Sequence, residues 1–136
     1  MSSYPIAKIE GIGATYARKL AAVGITTTRG LLDGARDPKG RKALAAETGL
    51  EEARILKWAN MADLMRVKGI GEEYSELLEA AGVDTVKELR TRKAENLAAK
   101  IAEVNAARKL VRAVPGPRLV ARWIDNAKSL APLLTY

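Results

Sequence analysis

Apolar residues recur three and four positions apart along most of the chain, which is the spacing of one helix face. Tyr16 and Leu20 lie four apart, as do Tyr74 and Leu78, so we expect both pairs to pack into the core. No stretch alternates apolar and polar residues as a strand would. Phenylalanine is absent and aromatic residues make up only 4%. The pattern predicts an all-α fold of about 8–10 short helices.

Nine positions near the start of the chain recur 58 residues later without a gap. Each glycine is kept, and each apolar position stays apolar. The first set is Ile9, Gly11, Ile12, Gly13, Tyr16, Leu20, Gly24, Thr27 and Leu31, and the second is Val67, Gly69, Ile70, Gly71, Tyr74, Leu78, Gly82, Thr85 and Leu89. A match at a fixed period indicates a repeated structural unit. The sequence therefore predicts two units, residues 1–66 and 67–136, in one compact domain.

Each unit contains Gly-Ile-Gly before a helical pattern, at residues 11–13 and 69–71. We expect a tight turn whose glycines permit positive φ and close backbone approach, while the isoleucine between them enters the core. Replacing Gly13 or Gly71 by valine is therefore predicted to cost roughly 1–3 kcal/mol.

Capping residues mark the helix ends that follow each turn. Gly24 and Gly82 stand where a glycine ends a helix. Thr27 and Thr85 are placed to cap the next helix, and Thr85 with Glu88 has the spacing of a capping box.

Further helices are predicted in the second part of each unit. Thr48 and Glu51 suggest another capping box, and Trp58 and Trp123 are expected to anchor the core. The predicted spans are about 39–47, 50–64, 94–104, 106–114 and 117–130.

Several classes of function are disfavoured by composition. Cysteine and histidine are both absent, which removes disulfides, thiolate nucleophiles and the commonest metal ligand. The Gly-x-Gly segments lack the third glycine of a dinucleotide site, and no Walker lysine motif is present. Glu72 and Glu73 are adjacent on a helix and point apart. We expect no enzyme activity, catalytic residue, metal, cofactor or small-molecule substrate.

The subcellular location predicted for the protein is the cytoplasm. No apolar run approaches the roughly 18 residues of a membrane span. The first residues, Met1 to Pro5, lack the basic and then apolar order of a signal peptide.

Residues 9–20 closely resemble the helix-hairpin-helix signature: apolar, any, Gly, apolar, Gly, three variable, Ala, then apolar. Residues 67–78 resemble it too, with Ser75 in place of the alanine. With the capped helix that follows, the arrangement resembles the N-terminal domains of RecA-like recombinases and the C-terminal domain of the bacterial RNA polymerase α subunit.

Nearly the whole chain, about residues 5–130, is similar to a bacterial family of unknown function built from such tandem hairpins. The similarity is carried by residues 58–64, 72–85 and 103–105. These resemblances imply a tandem helix-hairpin-helix repeat with SAM-like packing, and DNA binding that does not read base sequence.

A physical mechanism accompanies that implied function. The turn and the following helix N-terminus present unpaired N–H groups, and the helix dipole adds partial positive charge. A phosphate oxygen could be held there without any base contact. The basic stretch 105–130, with a net charge of +5, could extend the surface. The candidate phosphate-binding residues are Lys8, Gly11, Ile12, Gly13, Thr15, Arg18, Lys19, Arg108 and Arg112.

The second hairpin differs from the first in charge. Residues 67–86 carry one basic and five acidic side chains, which leaves a net charge of −4. Acids in a first helical turn satisfy the dipole internally and repel phosphate. We therefore interpret one set as structural or protein-facing: Gly69, Ile70, Gly71, Glu72 and Glu73.

Two hypotheses of function stay open at this point. The net charge of +7 favours a polyanion partner, and hence a sequence-independent DNA-binding module. The acidic second hairpin favours a protein-interaction or scaffold module that uses the same fold without DNA.

Overall fold

The computed structural model describes residues 3–136, and this part of the chain is helical, with only an isolated bridge between Pro5 and Thr27. The all-α prediction is confirmed. Met1 and Ser2, which belong to the first predicted unit, lie outside the described residues. A 3₁₀ helix at Ile6–Lys8 precedes α1 (Ala14–Ala21), α2 (Thr28–Gly34), α3 (Pro38–Thr48), α4 (Glu52–Leu64), α5 (Glu72–Ala80), α6 (Val86–Leu89), α7 (Ala94–Arg108) and α8 (Pro117–Lys128).

The buried apolar residues form two clusters, one among α1–α4 and one among α5–α8. Trp58 belongs to the first cluster and Trp123 to the second, so both tryptophans are core residues as predicted. The chain passes from one cluster to the other at the end of α4, where Leu64 packs in the second cluster and Met65 in the first. The clusters do not divide strictly between residues 66 and 67, because Leu64 belongs to the second cluster and Leu134 to the first.

The two Gly-Ile-Gly turns have the same backbone conformation. Gly11 has a φ of 94° and Gly69 a φ of 93°. The isoleucines Ile12 and Ile70 are buried, and each N–H donates to the carbonyl oxygen three residues earlier at 3.1 Å. The two turns that match in sequence therefore also match in backbone geometry.

The glycine at the end of each turn is not the constrained one. Gly13 and Gly71 have φ values of −88° and −105°, and a Cβ at either would meet no heavy atom within 4 Å. The predicted reason for a cost at these positions, a positive φ or close packing, is therefore wrong. The first glycine of each turn needs its positive φ, and its Cβ would lie 3.5 Å from Trp58 Nε1 or 3.3 Å from Trp123 Nε1.

Threonines cap α2 and α6 as predicted. Thr27 Oγ1 accepts the N–H of Gly30 at 3.0 Å, and Thr85 Oγ1 accepts the N–H of Glu88 at 3.2 Å. The carboxylate of Glu88 pairs with Arg92 at 2.8 Å. It therefore does not accept the Thr85 N–H, which the second half of the predicted capping box requires.

Glycines also follow α1 and α5 as predicted, but the capping box predicted at Thr48 and Glu51 is wrong. Gly24 and Gly82 have left-handed φ values of 83° and 91°. Thr48 is the last residue of α3, where its hydroxyl donates to the Leu44 carbonyl at 2.6 Å. The N-cap of α4 is Glu51, which makes no side-chain cap.

The helix predicted over 106–114 does not form. Helix α7 continues to Arg108, and the next residue takes a left-handed φ of 51°. The Asn105 side chain holds the following loop, since it accepts the N–H of Val111 at 2.9 Å and donates to the carbonyl of the same residue at 3.1 Å. Arg112 therefore lies in a loop and does not share a helix face with Arg108.

The C-terminal segment returns from α8 to the first cluster. The N–H of Thr135 donates to the Arg36 carbonyl at 2.8 Å. Arg41 is buried and donates to the Thr135 carbonyl at 2.7 Å, with its guanidinium 5.6 Å from the ring centre of Tyr136. These contacts fasten the end of the chain across α3.

Candidate functional site

The N-terminus of α1 is open to an anion. The helix has eight residues, and its N-cap, Gly13, provides no side-chain acceptor. No acidic residue lies in the first turn, whereas the first turn of α5 contains Glu72 and Glu73. The first N–H groups of a helix have no acceptor within the helix, and the dipole concentrates positive charge there. Of the two hairpin helices, α1 is therefore the one whose N-terminal positive charge is not neutralised by acidic side chains.

Three basic side chains belong to the first hairpin: Lys8 precedes the turn, and Arg18 and Lys19 lie in the last turn of α1. Lys8, Arg18 and Lys19 are all exposed, and none of them forms an ion pair with any residue of 3–136. Thr15 is exposed at the start of α1, three and four positions before the two basic residues, so the three share one helix face. Four predicted phosphate-binding side chains are thus free to meet a ligand.

The turn itself leaves space for a ligand but supplies few free hydrogen-bond donors. Ile12 is buried, and its N–H already donates to the carbonyl of Ile9, so it offers neither side chain nor backbone to a phosphate. Gly11 and Gly13 are exposed and leave the approach to α1 open. Sequence reasoning placed Ile12 among the contacts because it considered the turn as one unit.

Helix α4 adds two basic residues that sequence reasoning missed. Arg54 and Lys57 border a cavity of about 380 Å³ between the first turn and Trp58, which we call the first indole cavity. Arg54 also donates to the hydroxyl of Tyr16 and lies 5.0 Å from its ring centre. The Tyr16 ring is half-buried and packs against Trp58, with ring centres 5.2 Å apart. No local pattern reveals that α4 lies beside the turn.

Arg108 lies among acids. Burial raises the pKa of Glu76, Glu10 raises it further, and Arg108 and Lys57 lower it, while Glu79 is a weaker raising influence. All of these charges are therefore close to Glu76. Arg108 therefore lies near the acids of α5, which offset part of its charge. Arg112, in the loop after α7, is exposed.

The second hairpin presents its acidic residues unequally. Ile70 is fully buried, Gly71 and Glu72 are half-buried, and Gly69 and Glu73 are exposed. Glu73 is therefore the member of the predicted protein-facing set that a partner would meet most directly.

Comparison with known families assigns most of the chain. The model of a family described as a domain of unknown function (DUF4332) matches residues 10–130. The chain belongs to this family. The DUF4332 match includes both Gly-Ile-Gly turns and both tryptophans. No curated protein and no solved structure matches the chain. Within residues 3–136, no helix has both the length and the apolar character to cross a bilayer.

Proposed function

We propose that this DUF4332 protein is a non-enzymatic module that binds the phosphate backbone of DNA without reading base sequence. The observation that carries the proposal is the N-terminus of α1, which is uncapped by a side chain and free of acids. The same hairpin carries exposed Lys8, Arg18 and Lys19, which form no ion pair with any residue of 3–136. A phosphate there would gain backbone hydrogen bonds, the helix dipole and screened charge attraction together.

We further propose that the two halves are tandem helix-hairpin-helix units. Equal φ values at Gly11 and Gly69 support this, as does the matched pairing of a hairpin tyrosine with a tryptophan. The ring centres of Tyr16 and Trp58 are 5.2 Å apart, and those of Tyr74 and Trp123 are 5.1 Å apart. The resemblance to the hairpin domains of RecA-like recombinases and of RNA polymerase α belongs with this proposal.

A protein-interaction or scaffold role is the second candidate. It is favoured by the acids on α5, where exposed Glu73 stands in the first turn with half-buried Glu72. In that role the second hairpin meets a basic partner, and DNA has no part.

Salt-dependent binding to two short duplexes of unrelated sequence tests the DNA proposal. We expect equal affinities for the two duplexes. If three phosphates are neutralised, the log–log slope of affinity against salt should be about −2.7. Replacing Glu72→Gln and Glu73→Gln should cause no loss, because these acids hold no phosphate. Absent duplex binding at about 150 mM salt, with a protein partner lost in the same variant, would instead support the scaffold role.

A further inference from the structure

The indole nitrogen of Trp123 is a buried donor with no acceptor. The residue is only 1% exposed, and its Nε1 makes no hydrogen bond with any residue of 3–136. It lies against Gly69, 3.3 Å from where a Cβ would be. A buried donor left unpaired costs about 1–3 kcal/mol, and native structures rarely leave one without a reason.

Trp123 and Gly69, against which this buried nitrogen packs, both line a cavity that also has basic residues. A cavity of about 380 Å³ is lined by Lys68, Gly69, Leu119, Arg122, Trp123 and Asn126, and we call it the second indole cavity. Its two cations face no acid in the lining, and neither forms an ion pair with any residue of 3–136. The Asn126 Oδ1 accepts the backbone N–H of Lys68 at 3.2 Å, so the amide nitrogen of Asn126 is left as a further donor.

The first indole cavity provides an internal comparison. It has the same position relative to its turn and tryptophan, and the same volume of about 380 Å³. There, however, Glu10 and Glu51 offset the two cations, and Arg54 is engaged with Tyr16. Uncompensated positive charge therefore belongs to the second cavity, although the hairpin beside it is acidic.

We propose that the second indole cavity binds a phosphate group. Lys68 and Arg122 supply the opposite charge, and Trp123 Nε1 and Asn126 supply hydrogen-bond donors. Donors from four separate side chains suit a tetrahedral anion with several oxygens better than a planar carboxylate with two. The phosphate comes from one of two sources: a DNA backbone, in which case this inference rests on the proposed function, or a free phosphorylated molecule.

The indole N–H resonances report directly on this site. The chain has two tryptophans, so ¹H–¹⁵N spectra contain two indole signals. We expect inorganic phosphate, added at constant ionic strength, to shift the Trp123 signal along a saturating curve; a response of Trp58, whose indole packs against Gly11, reports on the first hairpin instead. A Trp123 signal that stays in place, or that moves without saturating, would overturn the site.

Paired substitutions separate the site from general charge effects. Lys68→Gln with Arg122→Gln should weaken phosphate binding by about tenfold or more, since both charge-assisted hydrogen bonds to the anion are lost. Arg54→Gln with Lys57→Gln removes the same charge beside the other indole and should leave the Trp123 curve unchanged. All four side chains are exposed, so the variants should fold. Equal weakening by both pairs would contradict the proposal.

A short duplex as second probe distinguishes the sources and the two proposals. A duplex that shifts Trp123, with loss of the shift in the Lys68→Gln, Arg122→Gln variant, identifies the DNA backbone. A shift with inorganic phosphate but no duplex binding identifies a free phosphorylated molecule and defeats the proposed function while the site stands. Duplex binding with a silent Trp123 under both probes defeats the site while the proposed function stands.

Discussion

The first glycine of each turn satisfies two demands at once. Gly11 and Gly69 hold positive φ values, and an indole nitrogen occupies the space next to each Cα. The local sequence does not distinguish the two glycines of a turn, because it reveals neither the φ value of each nor the tryptophan that packs against one of them. Only packing distinguishes the required glycine from the permissive one.

Alanine substitutions at the second turn separate these two kinds of glycine. Gly69→Ala should lower the free energy of unfolding by about 1–3 kcal/mol, because the new Cβ is strained and crowds Trp123. Gly71→Ala should change it by less than about 1 kcal/mol, or raise it slightly by restricting the unfolded chain. Urea unfolding of both variants measures the difference. Equal losses would show that the turn tolerates neither change and that the φ argument fails.

Glu76 is expected to make the stability of the fold depend on pH. Burial and then Glu10 raise its pKa above the ordinary value of 4.5, so the folded state holds this proton more tightly than the unfolded state. The folded state is therefore favoured as pH falls through the raised pKa, and this contribution is lost as pH rises through it. Glu76→Gln should raise the melting temperature at pH 7 and flatten its dependence on pH just above 4.5.

Exposed Glu73 is the matched control for that substitution. Glu73→Gln removes the same charge from the same helix without relieving a buried carboxylate, and it loses the favourable interaction of a first-turn acid with the helix dipole, so its melting temperature at pH 7 should stay the same or fall. If thermal melts show the two variants rising equally, then general reduction of acidity on α5, and not the position of Glu76, sets the effect.

Among the elements, α4 is joined to α6 by the carboxylate of Asp63, which also forms a buried ion pair with Arg66 just after α4. Asp63 and Arg66 are 2% and 3% exposed, with Oδ1 and Nη1 2.8 Å apart. The other oxygen of Asp63 accepts the N–H of Val86 at the start of α6, also at 2.8 Å. In the first half the equivalent N–H, that of Thr28, is taken by the carbonyl of Tyr4. In the second half, a side chain in the last turn of α4 thus takes the acceptor role that the Tyr4 backbone carbonyl has in the first half.

Removing one partner of this pair should be costly. Asp63→Ala leaves a buried guanidinium and an unpaired N–H, and should lower the free energy of unfolding by about 3–5 kcal/mol. Adding Arg66→Met removes the unpaired charge and should recover part of that loss. Chemical denaturation of the single and double variants measures both. A single variant within about 1 kcal/mol of the parent, or a double variant that is worse, would contradict this role.

The elements that could be predicted from sequence are those with local signals. The caps Thr27 and Thr85 and the glycines after α1 and α5 depend on neighbours within a few positions, so they were predictable. The segment after α7 was not, because the Asn105 side chain captures a loop residue six positions away. Likewise Arg54 and the buried Asp63 gain their roles from helices packed across the fold, which no helical periodicity encodes.

At the scale of the whole molecule, the C-terminal segment closes the fold through Arg41. This side chain is 4% exposed and donates to the carbonyls of Ala35 and Thr135 at 2.9 and 2.7 Å. Arg41→Ala should lower the free energy of unfolding by about 2–3 kcal/mol, whereas Lys42→Ala, at an exposed position, should change it by less than about 0.5 kcal/mol. Equal effects in urea unfolding would show that the segment contributes nothing through Arg41.

Duplex affinity of two charge-reversal variants tests the DNA-binding proposal most directly. Arg18→Glu with Lys19→Glu places repulsion on the exposed face of α1 that also carries Thr15, whereas Lys39→Glu with Lys42→Glu makes the same change in net charge at exposed positions on α3. At moderate salt, where long-range attraction is screened, the first variant should lose most of its duplex affinity and the second should keep most of its own. Equal loss in both variants, or affinity unchanged in the first, would contradict DNA binding at this hairpin.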